Sequence, residues 1–296
     1  MSKRILVTGG SGQLGQALRA AEWEESIELR TPSHAELDLT DAQVVAAWLD
    51  AERPDLIVNA AAYVAVDRAE NETDAAHALN AVAPATLARW CGAHDVPLIQ
   101  ISTDYVFSGA GEGFLGEDDT TGPLNVYGRT KLAGEEAVLA HAPRGVVLRT
   151  AWLVSPYAGN FLKTMLRLAA ERDEIAVVAD QHGCPTSAQD LAAAIVSMAG
   201  RMLIDPAHPA GRFHFVNAGE ASWFELAGFL FERASALGRP VPVVRPISTA
   251  DYPTPARRPA DTRLATARIA RDFGIAPRPW REAVGEVVDR LLEVPA

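Results

Sequence analysis

Tyr127 and Lys131 stand four positions apart in the run Tyr127-Gly128-Arg129-Thr130-Lys131. On a helix that spacing stacks both side chains on one face. An ammonium beside a phenol favours the phenolate, so the pair predicts a tyrosine with a lowered pKa, poised to move a proton. The lysine can also reach a ribose hydroxyl of a dinucleotide. Alone, the pattern equally describes the start of an amphipathic helix with a packed tyrosine and a solvated lysine. A threonine upstream adds weight. Thr103 closes an apolar run, 97–101, that reads as a strand ending in Ser102-Thr103-Asp104-Tyr105. In a doubly wound sheet, ligands sit beyond the carboxyl ends of the strands. A hydroxyl there can donate to a carbonyl oxygen and to the alkoxide formed from it, or simply cap its own backbone.

The glycines near the N-terminus name the kind of ligand. Gly9-Gly10-Ser11-Gly12-Gln13-Leu14-Gly15 follows a strand-like run and opens a helical one. Gly9 permits the turn, Gly12 lets a pyrophosphate approach the backbone, and Gly15 lets the helix pack on the strand. The free N–H groups of the helix start favour an anion. This spacing is similar to that of the extended short-chain dehydrogenases and reductases. About twenty residues on, where a ribose 2′ substituent is read, stand Glu28 and Arg30. Arg30 would hold a 2′-phosphate and favour NADPH; Glu28 would accept from a 2′-hydroxyl and favour NADH; either would equally serve as a surface charge. The reading leans to NADPH. Small residues in Asn59-Ala60-Ala61-Ala62-Tyr63 leave room for a cofactor across the sheet edge, or for tight helix packing.

These residues need a scaffold. Strand-like runs at 4–8, 27–30, 56–59, 98–102 and 146–149 alternate with helical patterns at 13–21, 41–51, 74–93 and 127–140. That alternation implies an α/β fold of Rossmann type, a doubly wound parallel sheet, and a sixth strand at 175–178 would complete it. Beyond residue 150 proline becomes frequent, with helical runs at 160–172, 187–203, 223–237 and 280–292. The expected organisation is a dinucleotide-binding domain over 1–150, with further sheet elements to about 200, and a smaller, mainly substrate-binding lobe within 151–296. A net charge of −11 argues against nucleic-acid binding, which wants a basic face. Cys91 and Cys184 form no CxxC pair, so neither a disulfide framework nor a cysteine zinc site is expected. With no leader-like or membrane-length apolar segment, the reading is cytoplasmic.

Together these pieces resemble the dTDP-4-dehydrorhamnose reductase family. The matching stretches are 9–15, 38–41, 59–70, 102–107, 123–135, 149–152, 160–166, 180–191 and 258–264, in order along nearly the whole chain. The resemblance implies NAD(P)H-dependent reduction of the C4 ketone of dTDP-4-dehydro-6-deoxy-L-mannose to dTDP-L-rhamnose. It implies Thr103, Tyr127 and Lys131 as the catalytic group, with Tyr127 donating the proton. Gly12, Gln13 and Leu14 would face the pyrophosphate, Asp38 and Leu39 the adenine, and Ala61, Ala62 and Tyr63 the nicotinamide. Val66, Asp104, Tyr105 and Trp152 would line the sugar site, with Arg258 and Arg263 holding the diphosphate. Some members form a magnesium-bridged dimer through a glutamate just after the glycine loop. Ala17 stands there, so no clear magnesium site is expected, and the protein is read as a monomer or homodimer. His182 departs from the family's more usual apolar residue and reads as a packing residue. Two alternatives remain: another nucleotide-sugar 4-keto reductase or epimerase, and a non-catalytic dinucleotide-binding subunit resembling the beta subunit of methionine adenosyltransferase.

Overall fold

The computed structural model describes residues 2–111 and 113–293. The apolar runs become strands of one parallel sheet: β1 (Lys3–Thr8), β2 (Ile27–Arg30), β3 (Leu56–Asn59), β4 (Leu98–Thr103), β5 (Gly145–Thr150) and, later, Gly211–His214. Between them run α1 (Gln13–Ala20), α2 (Ala42–Glu52), α3 (Ala83–His94) and α4 (Val126–His141). The spatial order is β2-β1-β3-β4-β5 followed by Gly211–His214. The chain leaves β1 toward one edge and returns on its other side at β3. This reversal opens a crevice at the carboxyl ends of β1 and β3, where such sheets bind ligands.

Side chains alternate across the sheet, as strand geometry requires. Ile5, Val7, Val58, Ile99, Val146 and Leu148 pack toward α1 and the helix α6 (Ala188–Ile204), which follows α5 (Phe161–Ala169). Leu6, Ile57, Leu98 and Val147 pack with Val45, Leu87 and Val138 of α2, α3 and α4 on the opposite face. A second apolar core, from Val154 to Leu292, joins α5 to α7 (Trp223–Ala236) and α8 (Trp280–Glu293).

Two expectations are corrected. The sixth strand of the main sheet is not 175–178 but Gly211–His214, paired with Val146 to Arg149. Glu174–Val178 instead pairs with Val243–Ile247 beside the second core. The reason is legible in its burial: Ile175 and Val177 are buried while Glu174 and Ala176 are exposed. Such alternation serves a strand covered on one face, not one sandwiched between helix layers. The helix expected over 74–93 is also interrupted, by a π-bulge at Ala78–Val82. Pro84 has no N–H for the carbonyl of Asn80, four residues back, so a regular α-turn cannot close there.

Candidate active site

A single cleft of about 1070 Å³ runs along the carboxyl edge of the sheet. That matches or exceeds the roughly 300–1,000 Å³ of ordinary small-molecule sites and leaves room for two ligands. At one end it is lined by Gly9, Gly10, Gly12, Gln13, Leu14 and Gly15, then by Asp38 and Leu39. A Cβ at Gly15 would stand 2.2 Å from the Gly9 carbonyl oxygen, so only glycine allows α1 to start against the turn. At Gly12 the nearest atom to a Cβ would be that same oxygen at 3.3 Å, and the rest of that face is open. Free amides, small side chains and an open approach fit a dinucleotide pyrophosphate.

The other end holds Thr103, Tyr127 and Lys131. Asn125 caps α4 by accepting from the Gly128 amide at 2.8 Å. The cap fixes where the helix begins, which puts Tyr127 in its first turn and Lys131 one turn later. Gly128 lies so close to the Tyr105 carbonyl that a Cβ would stand 2.2 Å from its oxygen. That approach presses the first turn of α4 against the end of β4 and brings Tyr127 to Thr103. All three residues line the cleft, with Ala61, Ala62, Val66, Asp104, Tyr105, Trp152 and Arg258. The far wall is aromatic: Trp152 stacks on Trp223 with centroids 3.5 Å apart and planes at 5°. Trp152 adopts a left-handed backbone, φ 46°, an uncommon geometry for a bulky residue that points to functional constraint.

The electrostatics differ from the sequence expectation at one point. Burial raises the Tyr127 phenol well above the ordinary tyrosine range, and the hydrogen bond with Thr103 offsets this only in part. Lys131 does not lower it: its Nζ donates to the Ile101 carbonyl at 2.6 Å. Burial pushes Lys131 itself down to about 8, with the Glu135 carboxylate opposing. Asp104 is raised to about 6 by burial, against hydrogen bonds from Thr262 and Thr103. These bonds are 2.6 Å from Thr262 and 2.9 Å from Thr103.

The Lys131 shift has a consequence for stability. Its ordinary value is 10.5 and its folded value about 8. Between them the unfolded chain binds a proton that the folded chain has released, so this group's contribution to stability rises with pH across that window. Melting curves of the ligand-free protein and a Lys131→Met variant should therefore converge from pH 8 to 10, the variant being relatively more stable at the lower end. A constant difference across the range would refute the buried-ammonium account.

Comparison with known proteins identifies the lineage. Residues 3–293 match the family model described as the RmlD substrate binding domain. A dTDP-4-dehydrorhamnose reductase of Sinorhizobium fredii is 45% identical over 291 residues, 98% of each chain. The chain belongs to the dTDP-4-dehydrorhamnose reductase family. A probable dTDP-4,6-dihydroxy-2-methyloxan-3-one 4-ketoreductase of Streptomyces antibioticus is 43% identical over 98% of this chain and 96% of its own. The crystal structure of the Bacillus anthracis reductase in complex with NADP superposes with a TM-score of 0.88, at 35% identity, covering 97% of this chain and 99% of that one.

Within this reductase family fold, three side chains depart from the sequence reading, while Gln13 lines the cleft as that reading has it. Arg30 is absent from the cleft lining and faces Glu28 at 3.2 Å and Glu52 at 3.5 Å, which also removes Glu28 as a free acceptor. Arg263 is held by Asp261 and Glu220, both at 2.5 Å, and does not line the cleft. Tyr63 turns its hydroxyl to Glu72 at 2.5 Å, while its amide is pinned by Asn80 at 2.8 Å. The Gln13 side chain accepts from Ser155 at 2.9 Å and Asn160 at 3.1 Å, tying the glycine loop to the segment after β5.

Other site residues were not singled out from sequence. Trp223 forms half of the aromatic wall. Asn80, in the π-bulge, also donates to Thr130 of α4 at 3.1 Å and so holds the loop after β3 against the helix carrying Tyr127. Its one sequence signal is Pro84 inside an otherwise helical run. Arg19 lines the cleft near Ser33 and His34, with no carboxylate paired to it among the described residues. Among the described residues, no group of three or more His, Cys, Asp or Glu side chains gathers as for a metal ion, and no helix is long and apolar enough to cross a membrane.

Proposed function

We propose that this chain reduces the C4 ketone of dTDP-4-dehydro-6-deoxy-L-mannose, using NADPH, to give dTDP-L-rhamnose. The observation that supports this is the cleft itself: one cavity is lined by the glycine loop, by Thr103, Tyr127 and Lys131, and by the Trp152–Trp223 stack. The nucleotide sugar comes from the full-length similarity to named reductases.

When bound, the reduced nicotinamide supplies the hydride that reaches C4 of the sugar. The residues do the rest. Thr103 and Tyr127 hold the ketone oxygen, and Tyr127 gives its proton to the alkoxide that develops there. A raised phenol pKa suits this direction: the tyrosine stays protonated at neutral pH until a stronger base, the alkoxide, forms beside it. Thr103 has one hydroxyl proton, which it lends to Asp104 in the ligand-free site. When it swings to the substrate oxygen, Thr262 keeps Asp104 partnered. Lys131 is the group for the nicotinamide ribose. Arg258, 2.8 Å from Asp67, sits at the cleft edge for the diphosphate. Arg19, in place of Arg30, is the cation for a 2′-phosphate, and this supports NADPH over NADH.

The test is absorbance-monitored oxidation of NADPH by the purified protein with dTDP-4-dehydro-6-deoxy-L-mannose, with the product identified as dTDP-L-rhamnose. Turnover should be faster with NADPH than with NADH. Turnover confined to another dTDP-4-keto sugar would move the chain toward its Streptomyces relative. Tight NADPH binding without any turnover would favour a non-catalytic subunit.

A further inference from the structure

Buried polar atoms in folded proteins nearly always have a partner, and an orphan calls for explanation. Thr150 closes β5 and is 8% exposed, yet its hydroxyl has no hydrogen-bond partner. Among the described residues, it is the one such orphan side-chain atom that belongs to a residue lining the cleft. Its place is specific. Thr103 and Thr150 are direct partners in the β4–β5 register. Both continue the same face of their strands, after Ile99 and Ile101 on β4 and Val146 and Leu148 on β5. The two hydroxyl-bearing side chains therefore stand side by side, about 5 Å apart as strand neighbours are. Arg149, the residue before, points to the other face, where it meets Glu135 of α4.

Thr103 and Tyr127 are committed to the oxygen being reduced. The nicotinamide carbon that reacts must lie next to that carbonyl. The ring's one polar substituent, its carboxamide, is bonded to the carbon adjacent to the reacting one. Its protein partner must therefore be a polar group within a residue's width of Thr103. We propose that the Thr150 hydroxyl is that partner: it holds the carboxamide and thereby fixes which face of the ring turns toward the substrate. The proposal rests on the reductase reading above. It makes Thr150 a cofactor-positioning residue with no part in proton transfer.

The experiment compares the wild type with Thr150→Val, which keeps the shape and removes the hydroxyl, and Thr150→Ser, which keeps the hydroxyl. Equilibrium binding is read by nicotinamide fluorescence for NADPH, and by competition for 2′-phospho-ADP-ribose, which has no nicotinamide. One lost hydrogen bond should weaken NADPH about three- to tenfold in the valine variant. The serine variant should bind NADPH like the wild type, and 2′-phospho-ADP-ribose should bind all three proteins equally. Unchanged NADPH affinity in Thr150→Val overturns the proposal, including the case in which only the KM for the dTDP-sugar rises. Equal weakening of both ligands overturns it too, since that reports a distorted cleft. Wild-type turnover of the dTDP-sugar, measured alongside, tells whether the reductase reading stands independently of Thr150.

Discussion

Replacing Tyr127 with phenylalanine is expected to lower kcat by about 10²- to 10⁴-fold, the range set by a positioned general acid. The dissociation constants for NADPH and for dTDP should stay within about twofold, because the phenol acts chiefly when charge develops on the substrate oxygen. The substitution removes one oxygen and keeps the ring. The ring is held edge-on by Tyr105, with centroids 5.8 Å apart and planes at 74°, so the cleft wall survives. The remaining hydroxyl near the ketone is Thr103, whose proton is shared with Asp104. Thr103 can polarise the carbonyl but is a far weaker proton source than a phenol. Single-turnover rates with saturating NADPH and dTDP-4-dehydro-6-deoxy-L-mannose give the measurement. A variant with wild-type kcat would move the proton donor elsewhere, and Asp104, raised to about 6, would be the next group to remove.

The reach of the sequence follows a physical division. Features set by local periodicity were legible: the first five strands, the helix carrying Tyr127 and Lys131, and the glycine turn all follow from neighbours within a few residues. Features decided by distant partners were not. Arg30 looked free until Glu52, at the end of α2, came to face it. Tyr63 looked like a cofactor contact until Glu72 took its hydroxyl. The lowered phenol pKa was inferred from a four-residue spacing, but burial, which depends on the whole fold, raised it instead. Thr150 lay within a stretch matched to the family, yet nothing local marks its hydroxyl as an orphan. That emerges only when every neighbour has been placed.

The second large effect concerns a pair that two neighbouring elements, α4 and β5, bring together and bury completely. Arg149→Met is expected to destabilise the fold by about 3–5 kcal/mol, the usual result of leaving one member of a buried ion pair alone. Arg149 and Glu135 are both 0% exposed and meet in two bonds, 2.9 and 2.7 Å long. Glu135 also accepts from Ser102, the residue before Thr103, at 2.5 Å. The other side of the guanidinium faces the Phe107 ring at 4.9 Å and the Nε2 of His214 at 3.4 Å. That nitrogen is a lone pair, because Nδ1 donates to the Ala265 carbonyl and burial beside Arg149 holds the imidazole neutral, at about 3. Removing Arg149 leaves the carboxylate, which lies on α4 one turn beyond Lys131, with the Ser102 hydroxyl and the longer, half-exposed contact to Arg212 at 3.7 Å, which does not replace the two lost bonds. Calorimetry should show a fall in Tm of roughly 10 °C. The double variant Glu135→Gln/Arg149→Met should recover at least half of the loss, because no buried charge is then left unpaired. If the double variant melts as low as the single, the cost is lost packing around Phe107 and not electrostatics. Activity separates a second role. Glu135 supports the charged form of Lys131, so the double variant, though refolded, should lose NADPH affinity at a lower pH than the wild type. An unshifted pH profile would confine the pair to holding α4 against β4 and β5.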